Sequence, residues 1–183
     1  GAFYSPNGKQ IVWRASYPAT AADTADYRGL LAQRLVRPAA LEIWVANADG
    51  GEPRQVTRIG GANFAPFFTH DGKKIIFTSN HLDPKGRNFD LFLVNVDGTG
   101  LEQVTFDPDF DGFPMFSPDG KKLAYVRREK TRSKLYLRDL EAGTDRKIFD
   151  TLDQDVQETW AVTGVYPNMA WTPDSSALVF WAG

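Results

Sequence analysis

The stretch FSPDGKKLAYV, residues 116–126, decides the fold. An apolar residue leads into a four-residue turn, two lysines follow, and an alternating apolar run closes the stretch. Pro118 presets φ at the first central turn position, Asp119 can bond local backbone, and Gly120 supplies the positive φ that sends the chain back. Two antiparallel strands therefore flank the turn, with the lysines covering a polar edge.

The chain of 183 residues makes this statement four times. FYSPNGKQIVWRAS starts at Phe3, FFTHDGKKIIFTSN at Phe67, MFSPDGKKLAYVRR at Met115 and AWTPDSSALVFWAG at Ala170. Aligned on Ser5, Thr69, Ser117 and Thr172, the copies lie 64, 48 and 55 residues apart, which describes a fixed unit with connections of unequal length. A second element recurs between copies: LEIWVANADGGEPRQVT from Leu41, FDLFLVNVDGTGLEQVT from Phe89 and SKLYLRDLEAGTDRKIF from Ser133. Each reads as strand, turn, strand, and Asp49-Gly50 and Asp97-Gly98 mark tight hairpins that need positive φ.

One unit is thus four short strands: an opening strand, the KKLAYV strand, the LYLRDL strand and the QVT strand. Such a small sheet cannot bury both faces alone and must stack on a copy of itself, and radial stacking of this kind makes a β-propeller. The expected fold is all-β, a propeller of four-stranded antiparallel blades, about 3.5 of them in this chain, with one short helical insertion. The blades, forming one domain, are placed at about 1–60, 61–108, 109–160 and, incomplete, 161–183, starting near Phe3, Phe64, Phe113 and Met169. The insertion at 17–40 carries Tyr27, Leu30, Leu31 and Leu35 at helical spacing, so a helix is predicted within 22–36, ended before Pro38 and capping its own blade.

Composition narrows the function. The chain is 42% hydrophobic and 24% charged, as a globular domain is, and its formal charge of −2 offers no basic face for nucleic acid. No apolar run approaches membrane-spanning length, so no membrane insertion is expected, and no basic-then-apolar leader precedes the first strand. With no cysteine there is neither a disulfide framework nor a thiolate metal site.

The SPDG-KK-apolar and DGG/DGTG…QVT patterns resemble the TolB-like propeller repeats, also called WD40-like PD40 repeats. Residues 1–116, with GANFAPFF, GRNFDLFLVNVDGTGLEQVTF and FDGFPMFSPDGKK, are similar to exported TolB-like proteins. From Ser117 onward, RSKLYLRDLEAGTDRKIF, QETWAVTGVYP and AWTPD are more similar to the propeller preceding the catalytic domain of certain amidohydrolases. The resemblance implies a periplasmic or exported protein that binds a protein or peptide partner without catalysis. Its alternative is an accessory propeller that gates a hydrolase domain of amidohydrolase or prolyl-oligopeptidase type.

Candidate sites are few. No serine elbow, HExxH or paired-histidine spacing occurs, so no catalytic residue and no cofactor are assigned. His70 fills the proline slot of its turn, whereas His81 lies in a loop with Arg87 and Asn88. These three, with Tyr27 and Arg34 of the insertion, are the expected partner-binding residues. Asp107, Asp109 and Asp111 in DPDFDG have the spacing that opens a calcium loop, but Pro118 stands where a bidentate Glu is needed, and an acidic interblade turn is the preferred reading. The aromatics Phe64, Phe67, Phe68, Phe113, Phe116, Trp160 and Trp171 are assigned to packing between blades. Because no further strands follow the fourth copy, a symmetric homodimer completing the ring is expected, ahead of a compact four-bladed monomer and of a partly open fragment of a six-bladed protein.

Overall fold

A computed structural model describes residues 1–35, 40–86, 88–129, 132–150 and 169–180. Strands β1 (Phe3–Tyr4), β2 (Gln10–Ala15), β3 (Glu42–Asn47) and β4 (Arg54–Gln55) form one antiparallel sheet in that order, and helix α1 (Ala21–Ala32) sits in the β2–β3 connection. A second sheet contains β5 (Asn63–Phe68), β6 (Lys74–Ser79), β7 (Asp90–Asn95) and β8 (Glu102–Gln103). A third contains β9 (Phe110–Phe116), β10 (Lys122–Glu129), β11 (Arg132–Asp139) and β12 (Thr144–Asp150), and β13 (Met169–Trp171) pairs with β14 (Leu178–Phe180). These are the unclosed blades of a partial β-propeller, in which the first strands β1, β5 and β9 lie innermost and pack on one another. The expected boundary near residue 160, Trp160 and Arg87 lie outside the described residues.

Every repeated turn is closed by the same side-chain clamp. The Ser117 hydroxyl donates to Asp119 Oδ1 at 2.6 Å and accepts from Lys122 N–H at 2.9 Å, and Asp119 Oδ1 also accepts from Lys121 N–H at 3.0 Å. Ser5 with Asn7, Thr69 with Asp71, and Thr172 with Asp174 repeat the arrangement. The hydroxyl residue, more than the proline after it, is what the copies share, which is why His70 is accommodated. Gly120 is required twice over: its φ is +70°, and a Cβ there would meet His70 Cβ at 2.8 Å.

Stacking follows the period-two pattern. Val12, Ile43 and Val45 of the first sheet meet Phe68, Ile75 and Phe77 of the second. On the opposite face of the second sheet, Ile76 and Leu91 meet Phe116, Leu123 and Tyr125 of the third. In β6 every residue from Ile75 to Ser79 is buried, so the middle blade has no free face.

Two expectations are corrected. The QVT strands are shorter than the sequence implies: regular strand covers Arg54–Gln55 and Glu102–Gln103, after which Val56 and Val104 N–H still donate to the Ile43 and Leu91 carbonyls at 2.8 Å each, while the Thr57 and Thr105 hydroxyls accept the N–H of Ile43 and Leu91, each at 2.9 Å. The helix ends at Ala32, with Arg34 in the left-handed region at φ 60°, and it buries no residue; Tyr27 is 48% and Leu31 51% exposed. It is therefore not a cap packed on its blade. Its start is secured locally by a capping box, in which the Thr20 hydroxyl accepts from Asp23 N–H while Asp23 accepts from Thr20 N–H.

Replacing Ser117 by Ala removes the centre of one clamp and leaves Lys122 N–H without its side-chain partner. The variant is expected to lose about 1–2 kcal/mol, read as a lower midpoint in urea unfolding, with Pro118→Ala less damaging.

Candidate functional site

The antiparallel meander sorts the connections between two ends. The repeated turns gather at one end. The β2–β3 connection with α1, the β6–β7 loop, the β10–β11 hairpin and the connections between sheets gather at the other. The described residues singled out from the sequence as partner-binding or metal candidates belong to this second end, but they do not form one site.

His81 packs edge-on against Phe92 with ring centroids 4.6 Å apart, and burial pushes its pKa down. Its Nδ1 lies 3.5 Å from Ser79 Oγ, a serine–histidine approach with no catalytic geometry. Ser79 is 1% exposed, and its proton is committed to Asn63 Oδ1 at 2.5 Å. Asn88 is half-buried, and its Oδ1 is enclosed without a hydrogen-bond partner among the described residues. Tyr27 borders a separate groove of about 640 Å³ with Tyr17, Leu30, Leu41 and Ala62, while Arg34 is exposed at the end of the helix.

The acidic loop is organised around an arginine. Arg127 donates to both carboxylate oxygens of Asp111 at 2.7 Å each and pairs with Asp107 at 3.0 Å. The guanidinium also lies over Tyr125 and Tyr136, 5.6 and 5.0 Å from the ring centroids. A side-chain cation thus sits against Asp107 and Asp111, two of the three carboxylates that the sequence offered to calcium. Among the described residues no group of three acidic, histidine or cysteine side chains is arranged to hold a metal.

Asp111 belongs to a polar network used twice. In the first two sheets Glu42 accepts from Thr57 at 2.5 Å, and Asp90 accepts from Thr105 at 3.3 Å and from Gln103 at 3.1 Å. Asn63 and Asp111, the opening residues that follow, take the carbonyls of Leu41 and Phe89 through their backbone N–H at 3.0 and 2.7 Å. Burial, with Asp111 and Asp107 nearby, pushes the Asp90 pKa up to about 6. The third sheet breaks this pattern, since Lys134 and Phe149 stand at the positions of the acid and the threonine, and Lys134 pairs with Glu129 instead.

Sequence reasoning missed the cleft between the inner strands. It has a volume of about 300 Å³ and is bordered by Phe3 on β1, Phe64 and Ala65 on β5, Phe113 on β9, Met169 on β13, and Arg14 from β2. Ala65 and Phe113 have φ of 50° and 56°, each precedes a proline, and each sits where the strand register slips. These are paired β-bulges that widen the inner strands. The rings beside the cleft form one half-buried cluster: Phe64 lies 5.7 Å from Phe113 and 5.5 Å from Phe89, and Phe89 lies 5.4 Å from Phe110. The missed signal was the pair Ala65-Pro66 and Phe113-Pro114, each four residues before the clamp hydroxyl.

The sequence matches the family described as TolB beta propeller domain, PD40, over residues 18–165. No curated protein matches the chain. Similar solved structures include a protein assigned as TolB from Agrobacterium tumefaciens, at 23% identity and a TM-score of 0.62 over 81% of this chain and 48% of that one. TolB from Acinetobacter baumannii gives 23% identity and a TM-score of 0.61 over 81% of this chain and 31% of that one. A structure from a study of two prolyl endopeptidases gives 17% and 0.56 over 82% and 22%. The chain spans less than half the length of each of these proteins, and identities at this level demonstrate a shared fold.

The raised pKa of Asp90 has a defined consequence for stability. The folded state holds this proton more tightly than the unfolded chain does, so the associated stability is full below about pH 4 and is lost as pH rises through about 6. Asp90→Asn removes the dependence. Relative to the parent, the variant should gain on the order of 2 kcal/mol between pH 4 and pH 8, measured as the pH-dependent difference in urea unfolding.

Proposed function

The chain belongs to the TolB-like β-propeller family with PD40 repeats, and from that premise we propose that it is a non-catalytic scaffold which binds a protein or an extended peptide in the cleft between its inner strands. The observation that carries this reading is the half-buried ring cluster of Phe64, Phe89, Phe110 and Phe113 beside an open cleft. Aromatic rings that are neither fully packed nor fully solvated are the usual anchors of a binding surface. His81, Arg87, Asn88, Tyr27 and Arg34 are proposed as peripheral contacts, and Asp107, Asp109 and Asp111 as an arginine-binding turn. Family membership supports a periplasmic or exported setting.

A second reading, an accessory propeller that gates a hydrolase domain, is supported by the fold shared with the prolyl endopeptidases. It differs in requiring a catalytic domain in the same gene. A homodimer is also proposed, because the face of the first sheet turned away from the second carries Tyr4, Trp13 and Trp44, with Tyr4 63% exposed. Light scattering coupled to size exclusion tests it: a monomer mass at all concentrations refutes the pairing.

Panning a random dodecapeptide phage library on the intact chain should enrich binders. Phe64→Ala and Phe113→Ala should each weaken a recovered peptide about tenfold while leaving the thermal midpoint within a few degrees. Recovered peptides indifferent to both substitutions would place binding elsewhere. Ester, peptide and cyclic amide substrates should not be turned over.

A further inference from the structure

Arg14 is the only charged side chain among the described residues bordering the cleft. The other arginines and lysines near the inner strands are engaged: Arg127 with Asp107 and Asp111, Lys134 with Glu129, and Arg138 with Asp145. Among the described residues Arg14 has no carboxylate partner. Its guanidinium lies over the Phe64 ring, 5.9 Å from the centroid, and the residue is exposed.

Comparison of the repeats explains how this cation came to stand alone. Counted from the clamp hydroxyls Ser5, Thr69 and Ser117, Arg14 occupies the position held by Thr78 in the second sheet and by Val126 in the third. Thr78 is fully buried, and its hydroxyl accepts the N–H of Phe113 at 3.1 Å, tying down the left-handed residue of the next inner strand. The residue that corresponds to Phe113 one blade earlier is Ala65, which has no cross-strand partner in the β5–β6 register. A guanidinium has no acceptor to offer, so Arg14 cannot do for Ala65 what Thr78 does for Phe113. One blade interface has exchanged an internal acceptor for an outward-reaching donor, beside apolar walls of Phe3, Phe64 and Met169.

We propose that this cleft takes a carboxylate of an extended peptide, paired with Arg14 and flanked by apolar residues that rest on Phe64 and Phe113. The inference rests on the peptide-binding reading above and adds the chemistry of its ligand. The carboxylate belongs to an Asp or Glu side chain, which a guanidinium binds through paired donors. The protein carries a net charge of −2, so attraction for an acidic ligand comes from this one position and not from the general field of the molecule.

The same phage selection tests it with separate outcomes. Displayed peptides are joined to the phage at their C-termini, so enrichment of Asp or Glu next to an aromatic or aliphatic residue is expected from the parent chain and should be lost with Arg14→Gln. The best recovered sequence is then synthesised as the C-terminal amide, the free acid and the Asp→Asn or Glu→Gln amide. The side-chain carboxylate binds equally as amide and acid and weakens about tenfold on neutralisation, and a peptide that binds only as the free acid overturns the assignment. Arg14→Gln should weaken binding to the same degree, Arg14→Lys less, and Lys9→Gln, at the turn-bearing end, not at all. Peptides that are enriched without acidic preference and bind Arg14→Gln unchanged overturn the carboxylate assignment alone. A selection yielding no peptide overturns the peptide-binding reading and this inference with it.

Discussion

A four-stranded sheet with two apolar faces cannot exist alone in water, and the second sheet of this protein is such a sheet. Ile75 and Phe77 point into the cluster shared with the first sheet, Ile76 and Leu91 into the cluster shared with the third, and all four are fully buried. Burial of side chains this size contributes about 1.5–3 kcal/mol each relative to exposure, and none of it is available until the neighbouring sheets are in place. Stability is therefore held at the interfaces between blades, which is the property that lets the outer strands vary from two residues in β4 and β8 to seven in β12.

The same stacking divides labour between the two ends. At the turn end, four hydroxyl–carboxylate or hydroxyl–amide clamps close on themselves and leave little chemistry free. At the other end, connections of unequal length meet, and side chains there answer to neighbours beyond their own hairpin. Arg127 is the clearest case, since it joins Asp111 across the β9–β10 ladder, Asp107 in the connection from the preceding blade and two tyrosine rings of its own sheet. Asp90 and Asp111 share that neighbourhood; burial, with the charges of Asp111 and Asp107 close by, pushes the Asp90 pKa up to about 6, while Arg127 pairs with Asp111.

Divergence between the repeats carries the functional information. Glu42 with Thr57 and Asp90 with Thr105 perform one structural task in successive blades, and their replacement by Lys134 and Phe149 shows the third blade released from it. The exchange of Thr78 for Arg14 is the counterpart in the cleft, where a residue that satisfies the backbone gives way to one that leaves a charge unpaired.

The sequence by itself determined the repeat and the strand order within each blade, because these depend on contacts between residues close along the chain, and it implied the stacking of blades because a small sheet with two apolar faces needs a neighbour on each. Pro118-Asp119-Gly120 closes a turn whatever surrounds it, and alternation such as Ile75, Phe77 against Ile76 assigns faces without knowledge of the partner. The helix was legible from the local spacing of Tyr27, Leu30 and Leu31, whereas its supposed burial was not, since among the described residues it packs no side chain fully against a neighbour. Only the tertiary structure decided that His81 packs on Phe92, that the DPDFDG loop closes on Arg127, and that Arg14, Phe64, Phe113 and Met169 border one cleft. Those residues are as far apart in sequence as the blades that carry them. Their meeting depends on the radial arrangement of the inner strands and on the left-handed residues Ala65 and Phe113, whose bulges shift the strand register where alternation alone would have carried it straight through.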